Sequence, residues 1–137
     1  MFLALLLFLP PGWSSHQIFN GGVMRFSSYT SAEQGGVTLG ITCEHGILRV
    51  YLEMTEPILT EKTPTEYFFD DDESVDAQWL VPKKNIVLAP AGITTEILQK
   101  MAQAKTLSVK VAGRLAVFDL EGWEEARMSL DGPCDFP

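Results

Sequence analysis

The chain has 137 residues, 46% of them hydrophobic and 20% charged. That is enough apolar material for one domain with its own core and too much for a disordered chain. A formal net charge of −8, with no basic stripe along the chain to displace counterions, argues against a nucleic-acid partner and against attachment to anionic lipid.

The opening stretch, MFLALLLFLPPGWSS, carries no charged side chain, and Phe2 to Leu9 is an uninterrupted apolar run. It is far shorter than the roughly 20 residues that span a bilayer, and it fits the apolar region of a secretory signal. Pro10, Pro11 and Gly12 then break any helix, while Gly12 and Ser14 suit the small-residue positions of a cleavage site. No Lys or Arg precedes the run, which is a departure from the usual signal. Residues 1–14 are therefore expected to be a leader. Residues 15–137 are expected to form a single exported domain, periplasmic or secreted, with no stable membrane anchor after cleavage.

From Ile18 to Glu33 the sequence reads as turn, strand and loop, with Gly21 and Gly22 opening the strand. The clearest periodicity follows. Val37, Leu39, Ile41 and Cys43 alternate with polar or small residues, as do Leu48, Val50, Leu52 and Met54. Period two marks half-buried strands, and the intervening Glu44-His45-Gly46 predicts an antiparallel hairpin. Residues 55–64 form an expected loop bounded by Pro57 and Pro64. TEYFFD reads as a strand, DDDES as an acidic turn, and DAQWLV and NIVLAP as two short strands around Pro82-Lys83-Lys84.

TTEILQKMAQAK predicts a helix, capped by Thr94 or Thr95, with Ile97, Leu98, Met101, Ala102 and Ala104 on its apolar face. Leu107, Val109 and Val111 resume a strand, Gly113-Arg114 turns it, and Leu115 to Asp119 returns. Asp119 is expected to cap a last helix in which Leu120, Trp123, Ala126 and Leu130 share a face. Asp131, Gly132 and Pro133 end it. The expected fold is α+β: a mostly antiparallel sheet, or a small sandwich or barrel, with two helices.

Two cysteines in an exported chain most simply form one disulfide, Cys43 with Cys134; in a cytosolic chain both would be free. Neither cysteine lies in a Cys-X-X-Cys motif, which argues for a staple rather than a redox pair.

No motif identifies a reaction. His16 and His45 have no ligand spacing, so neither a metal nor any other cofactor is expected. No nucleophile elbow or Gly-rich phosphate loop occurs. The acidic run Asp70 to Asp76 lacks the spacing of a calcium loop and reads as a solvated turn. Eighteen carboxylates always offer pairs for glycoside cleavage, and none stands out. Among the aromatics Trp79, Tyr51, Tyr67 and Phe68, Tyr51 falls on the polar face of its strand between Arg49 and Glu53. Arg49, Tyr51, Glu53 and Trp79 are therefore the candidate protein-binding surface, since exposed Tyr with Arg suits an interface.

Taken in order, LGITCEHGILRVYLEM, YFFDDDESVDAQWLV, TEILQKMAQAKTLSVKV, AVFDLEGWEEA and GPCDF resemble the exported type VI secretion accessory proteins called TagO or VasI, and similar periplasmic domains. The likeness runs from about Val37 to Phe136. Its most specific parts are Cys43, Trp79, Phe118-Asp119-Leu120, Gly122 and Cys134. It implies no catalytic residue, but it implies a non-enzymatic protein-binding module in the bacterial envelope whose partner is an envelope or secretion-apparatus protein. The alternatives are an inhibitor or immunity protein against a cell-wall hydrolase such as lysozyme, and a glycan-binding module stacking sugars on Tyr51 and Trp79.

Overall fold

The computed structural model describes residues 12–32 and 36–137. The expected leader therefore lies mostly outside the described residues. Its last two positions, Trp13 and Ser14, begin strand β1 (Trp13–Asn20). Further strands are β2 (Val23–Ser31), β3 (Val37–Glu44), β4 (Ile47–Met54), β5 (Lys62–Phe69), β6 (Val75–Lys83) and β7 (Ile86–Leu88). Helix α1 (Ala91–Met101), β8 (Thr106–Val111), β9 (Arg114–Asp119) and helix α2 (Trp123–Met128) complete the described chain.

Among the described residues the nine strands make one open, antiparallel sheet in the order β1-β2-β3-β4-β7-β6-β5-β8-β9. Two-residue turns close the β1–β2, β3–β4 and β8–β9 hairpins. Each has positive φ at both central residues: Gly21 and Gly22, His45 and Gly46, Ala112 and Gly113. That backbone follows the right-handed twist of the strands it joins. The hairpin read from period two at Val37 to Met54 is present with the expected face inward. β1 is the strand that local reading missed, because its polar WSSHQ segment shows no apolar alternation.

A flat sheet of nine strands at about 4.8 Å spacing would be roughly 38 Å wide. Neither the 11-residue α1 nor the six-residue α2 could cover it. Yet inward side chains from Trp13 on β1 to Phe118 on β9 belong to one buried cluster. The sheet must therefore twist and coil so that one face wraps this core. Helix α1 adds Ile97, Leu98 and Met101 to the core, and α2 adds Trp123 and Ala126.

Three local expectations need correction. Thr94 and Thr95 do not cap α1, which starts earlier at Ala91. Their hydroxyls donate to the Ala89 and Ala91 carbonyls from within the helix. Asp119 does not cap α2 either; its carboxylate accepts from the Glu121 N–H at 2.9 Å, and Gly122 in the left-handed region precedes the helix. Pro64 lies inside β5 rather than bounding a loop. The sheet tolerates it because β8 pairs with β5 only from Thr65 onward, so no ladder bond from that side is lost.

The Cys43–Cys134 disulfide is present and joins the end of β3 to the segment after α2. Trp123 lies between Trp13 at 5.0 Å and Phe136 at 6.0 Å, ring centre to ring centre. The Arg127 guanidinium lies over the Phe136 ring, 5.5 Å from its centre, and pairs with Glu124 and Asp131.

Candidate functional site: the trough on the outer sheet face

Both helices contribute to the core on the inner face, and the opposite face of β1–β4 and β7 holds a trough of about 690 Å³. Strand register dictates its contents. One row across the sheet reads Ser14, Tyr29, Gly40, Tyr51, Leu88 and Leu80. The next row on one side is His16, Ser27, Thr42 and Arg49, followed by Ile18, Arg25, Glu44 and Ile47. The row on the other side ends Thr38, Glu53, Ile86 and Lys83. A register shift in β6 between Leu80 and Lys83, where Pro82 withholds an N–H, sets the far wall.

Tyr51 occupies the centre. A Cβ on Gly40, its cross-strand partner, would overlap the phenol end of the Tyr51 ring. The missing side chain lets the ring lie across β3, half-buried, instead of standing away from the sheet. Burial raises the Tyr51 phenol above its ordinary value, the Glu53 carboxylate and then Tyr29 reinforce this, and Arg25 opposes it. Beside it His16 and Tyr29 stack with centroids 5.3 Å apart and planes 5° from parallel. His16 Nε2 and the Tyr29 hydroxyl form a 2.7 Å hydrogen bond. Arg25 Nε donates to the Glu44 carboxylate at 3.0 Å.

The remaining charges are uncommitted. Among the described residues Arg49, Glu53 and Lys83 have no ion-pair partner. Arg25, Arg49 and Lys83 face two carboxylates, Glu44 and Glu53, so the trough is locally cationic on a chain of net charge −8. This arrangement offers a ligand aromatic faces, hydroxyls and charges of both signs.

The structure brings Arg49, Tyr51 and Glu53 together as the alternation implied. Trp79 is not with them: it is 1% exposed on the inner face, 6.1 Å from Tyr67, and cannot meet a partner or a sugar. Tyr67 is likewise buried, with its phenol pushed up to about 12, first by burial and then by Glu96. Arg25, Tyr29 and Gly40 are trough residues that sequence reasoning did not single out, and His16 was weighed there only as a metal ligand. The signal was available, because Arg25, Ser27, Tyr29 and Ser31 share one parity. The hairpin turn at His45-Gly46 also sets Gly40 opposite Tyr51.

The acidic turn has a structural use. Asp70, at φ 47°, accepts from the backbone N–H groups of Lys105 and Thr106 and from the Thr106 hydroxyl. Those bonds, led by the Thr106 N–H, hold its carboxyl below the usual value. Among the described residues no three His, Cys, Asp or Glu side chains converge as a metal site, and no helix is long and apolar enough to cross a membrane. No protein family, curated protein or solved structure matches the chain.

Proposed function

We propose that the chain is an exported, non-enzymatic binding module of the bacterial envelope, with the outer trough as its binding surface. One observation carries this reading. The face opposite the core concentrates a flat-lying tyrosine, a stacked His–Tyr pair and uncommitted charges at the middle of the sheet. A face kept only for solubility has no need of half-buried aromatics flanked by unpaired ions. The disulfide is compatible with an oxidising compartment. On the resemblance, we read the role as accessory to type VI secretion, alongside envelope or secretion-apparatus proteins.

The test is fractionation of cells producing the full chain, with Tyr51→Ala and Arg49→Gln as variants. Wild type should be retained with envelope material, and both variants should pass to the freely soluble exported fraction while keeping the wild-type circular dichroism. Equal retention of all three would overturn the assignment of the trough as the binding surface.

A further inference from the structure

We propose that the trough binds peptide-free, acidic glycan chains of the bacterial cell wall, with a sugar ring stacked on the open face of Tyr51 and its carboxylate held by Arg49. The proposal rests on the trough being the binding surface and adds the ligand's chemistry.

Around Tyr51 the floor is made of β2, β3, β4 and β7, whose backbone groups there face ladder partners on both sides; free ladder positions lie only at the outer edge of β1 and on β4 before Val50. A peptide docking as an added strand needs such a free edge, and would therefore seat at the margin of the trough and not across Tyr51. Recognition here falls to side chains, which favours a ligand that carries its own dense array of hydroxyls.

The Tyr51 ring is oriented to stack. Because Gly40 has no side chain, Tyr51 lies along the sheet and turns one face toward the trough. The apolar C–H face of a pyranose packs on such a surface, burying it without needing an aromatic partner. Arg49 and Glu53 lie two residues either side of Tyr51 on the same face of β4, about 7 Å along the strand in each direction. A guanidinium and a carboxylate at those positions offer fixed donors and acceptors to the hydroxyls around a stacked ring.

Charge selects an acidic sugar. The trough is cationic on an acidic chain, and Arg49 has no carboxylate of its own. A planar guanidinium takes a carboxylate bidentately, which an ammonium does not. Lys83 lies roughly 17 Å from Arg49 by strand spacing and register, at the opposite end of the trough. That separation spans more than one sugar ring, so a chain carrying repeated carboxylates meets both cations. Cell-wall glycan has this character where its stem peptides have been removed, because the lactyl group on alternate amino sugars then ends in a free carboxylate instead of an amide.

The test is titration calorimetry of the folded, disulfide-bonded protein with three probes. These are a peptide-free cell-wall tetrasaccharide of alternating N-acetylglucosamine and N-acetylmuramic acid, chitotetraose, and tetragalacturonate. The cell-wall tetrasaccharide should bind about tenfold or more tighter than chitotetraose, which has the same rings without the carboxylate. Arg49→Gln should erase that difference, Tyr51→Ala should weaken both, and Lys62→Gln, outside the trough, should change neither. Equal binding of the two amino-sugar chains, or discrimination that survives Arg49→Gln, would overturn the proposal. Tighter binding of tetragalacturonate would overturn the assignment to the cell wall. If none of the three binds while Tyr51→Ala still releases the protein from the envelope, the glycan proposal fails and the trough remains the binding surface.

Discussion

Opening the Cys43–Cys134 disulfide should lower stability by about 4–5 kcal/mol. The bond closes a sequence separation of 91 residues. In the chain-entropy account a loop of that length removes about 15 cal/mol/K from the unfolded ensemble, which gives this figure at 25 °C. Little native structure should be lost with it. The terminal segment keeps the Cys134 N–H bond to the Leu130 carbonyl, the Phe136–Trp123 contact and the Arg127 guanidinium over Phe136. The perturbation therefore acts mainly on the unfolded chain. At about 3–5 °C per kcal/mol for a domain of this size, Tm should fall by roughly 12–25 °C. The assay is thermal melting by circular dichroism of the oxidised protein, the same protein in reductant, and a Cys43→Ala/Cys134→Ala variant. Alanine is chosen because serine would bury a hydroxyl at two positions that are each 1% exposed. Reduced and variant proteins should keep a native spectrum at low temperature and melt together. A Tm drop below about 4 °C in both would refute the entropic account of this staple.

Trp13→Ala should cost about 3 kcal/mol, read as a shifted urea midpoint, because a buried indole against Trp123 is lost at a chain end that can partly relax. By the same contact, exported material should retain Trp13; an intact mass corresponding to a start at Ser15 would contradict that. Gly40→Ala should displace the Tyr51 ring at a cost of about 1 kcal/mol, because the clash is with the far end of a mobile side chain. Spectrophotometric titration, with Tyr51→Phe identifying the signal, should then show the phenol moving down toward 10.0; an unmoved phenol would mean that Gly40 does not set the ring's position. The Asp70 carboxyl lies below its ordinary 3.8 when folded, so its contribution is present above that value and lost as pH falls through the lower, folded one. Asp70→Asn should therefore be less stable near pH 6, and the gap should close on acidification toward pH 2.5. A gap independent of pH would show that the charged form is not what the Lys105 and Thr106 N–H groups select.

Some of this was readable along the chain. Strict alternation from Val37 to Met54 assigned both strands and their inward faces, because a strand with one dry face admits only one register. Val75, Ala77 and Trp79 share a parity too, and following that pattern would have placed Trp79 inside with its neighbours. The caps were harder. Thr94, Thr95 and Asp119 are good capping residues, but where each helix begins was decided by how α1 and α2 seat on the core. β1 was illegible because its pairing with β2 is satisfied by backbone and polar contacts such as Ser15 with Ser28, and these leave no apolar period to read.

By itself the sequence determined the class of fold, the β3–β4 hairpin with its inward faces and the β8–β9 turn, since short-range periodicity and turn chemistry are local properties of the chain. It also supplied the two cysteines whose pairing links positions 43 and 134. Only the tertiary structure decided that β7 returns to β4, that Trp13 packs on Trp123, and that His16 and Tyr29 join Tyr51 over Gly40. Those are contacts between segments far apart in the chain, and their energies depend on packing and burial that no local window contains.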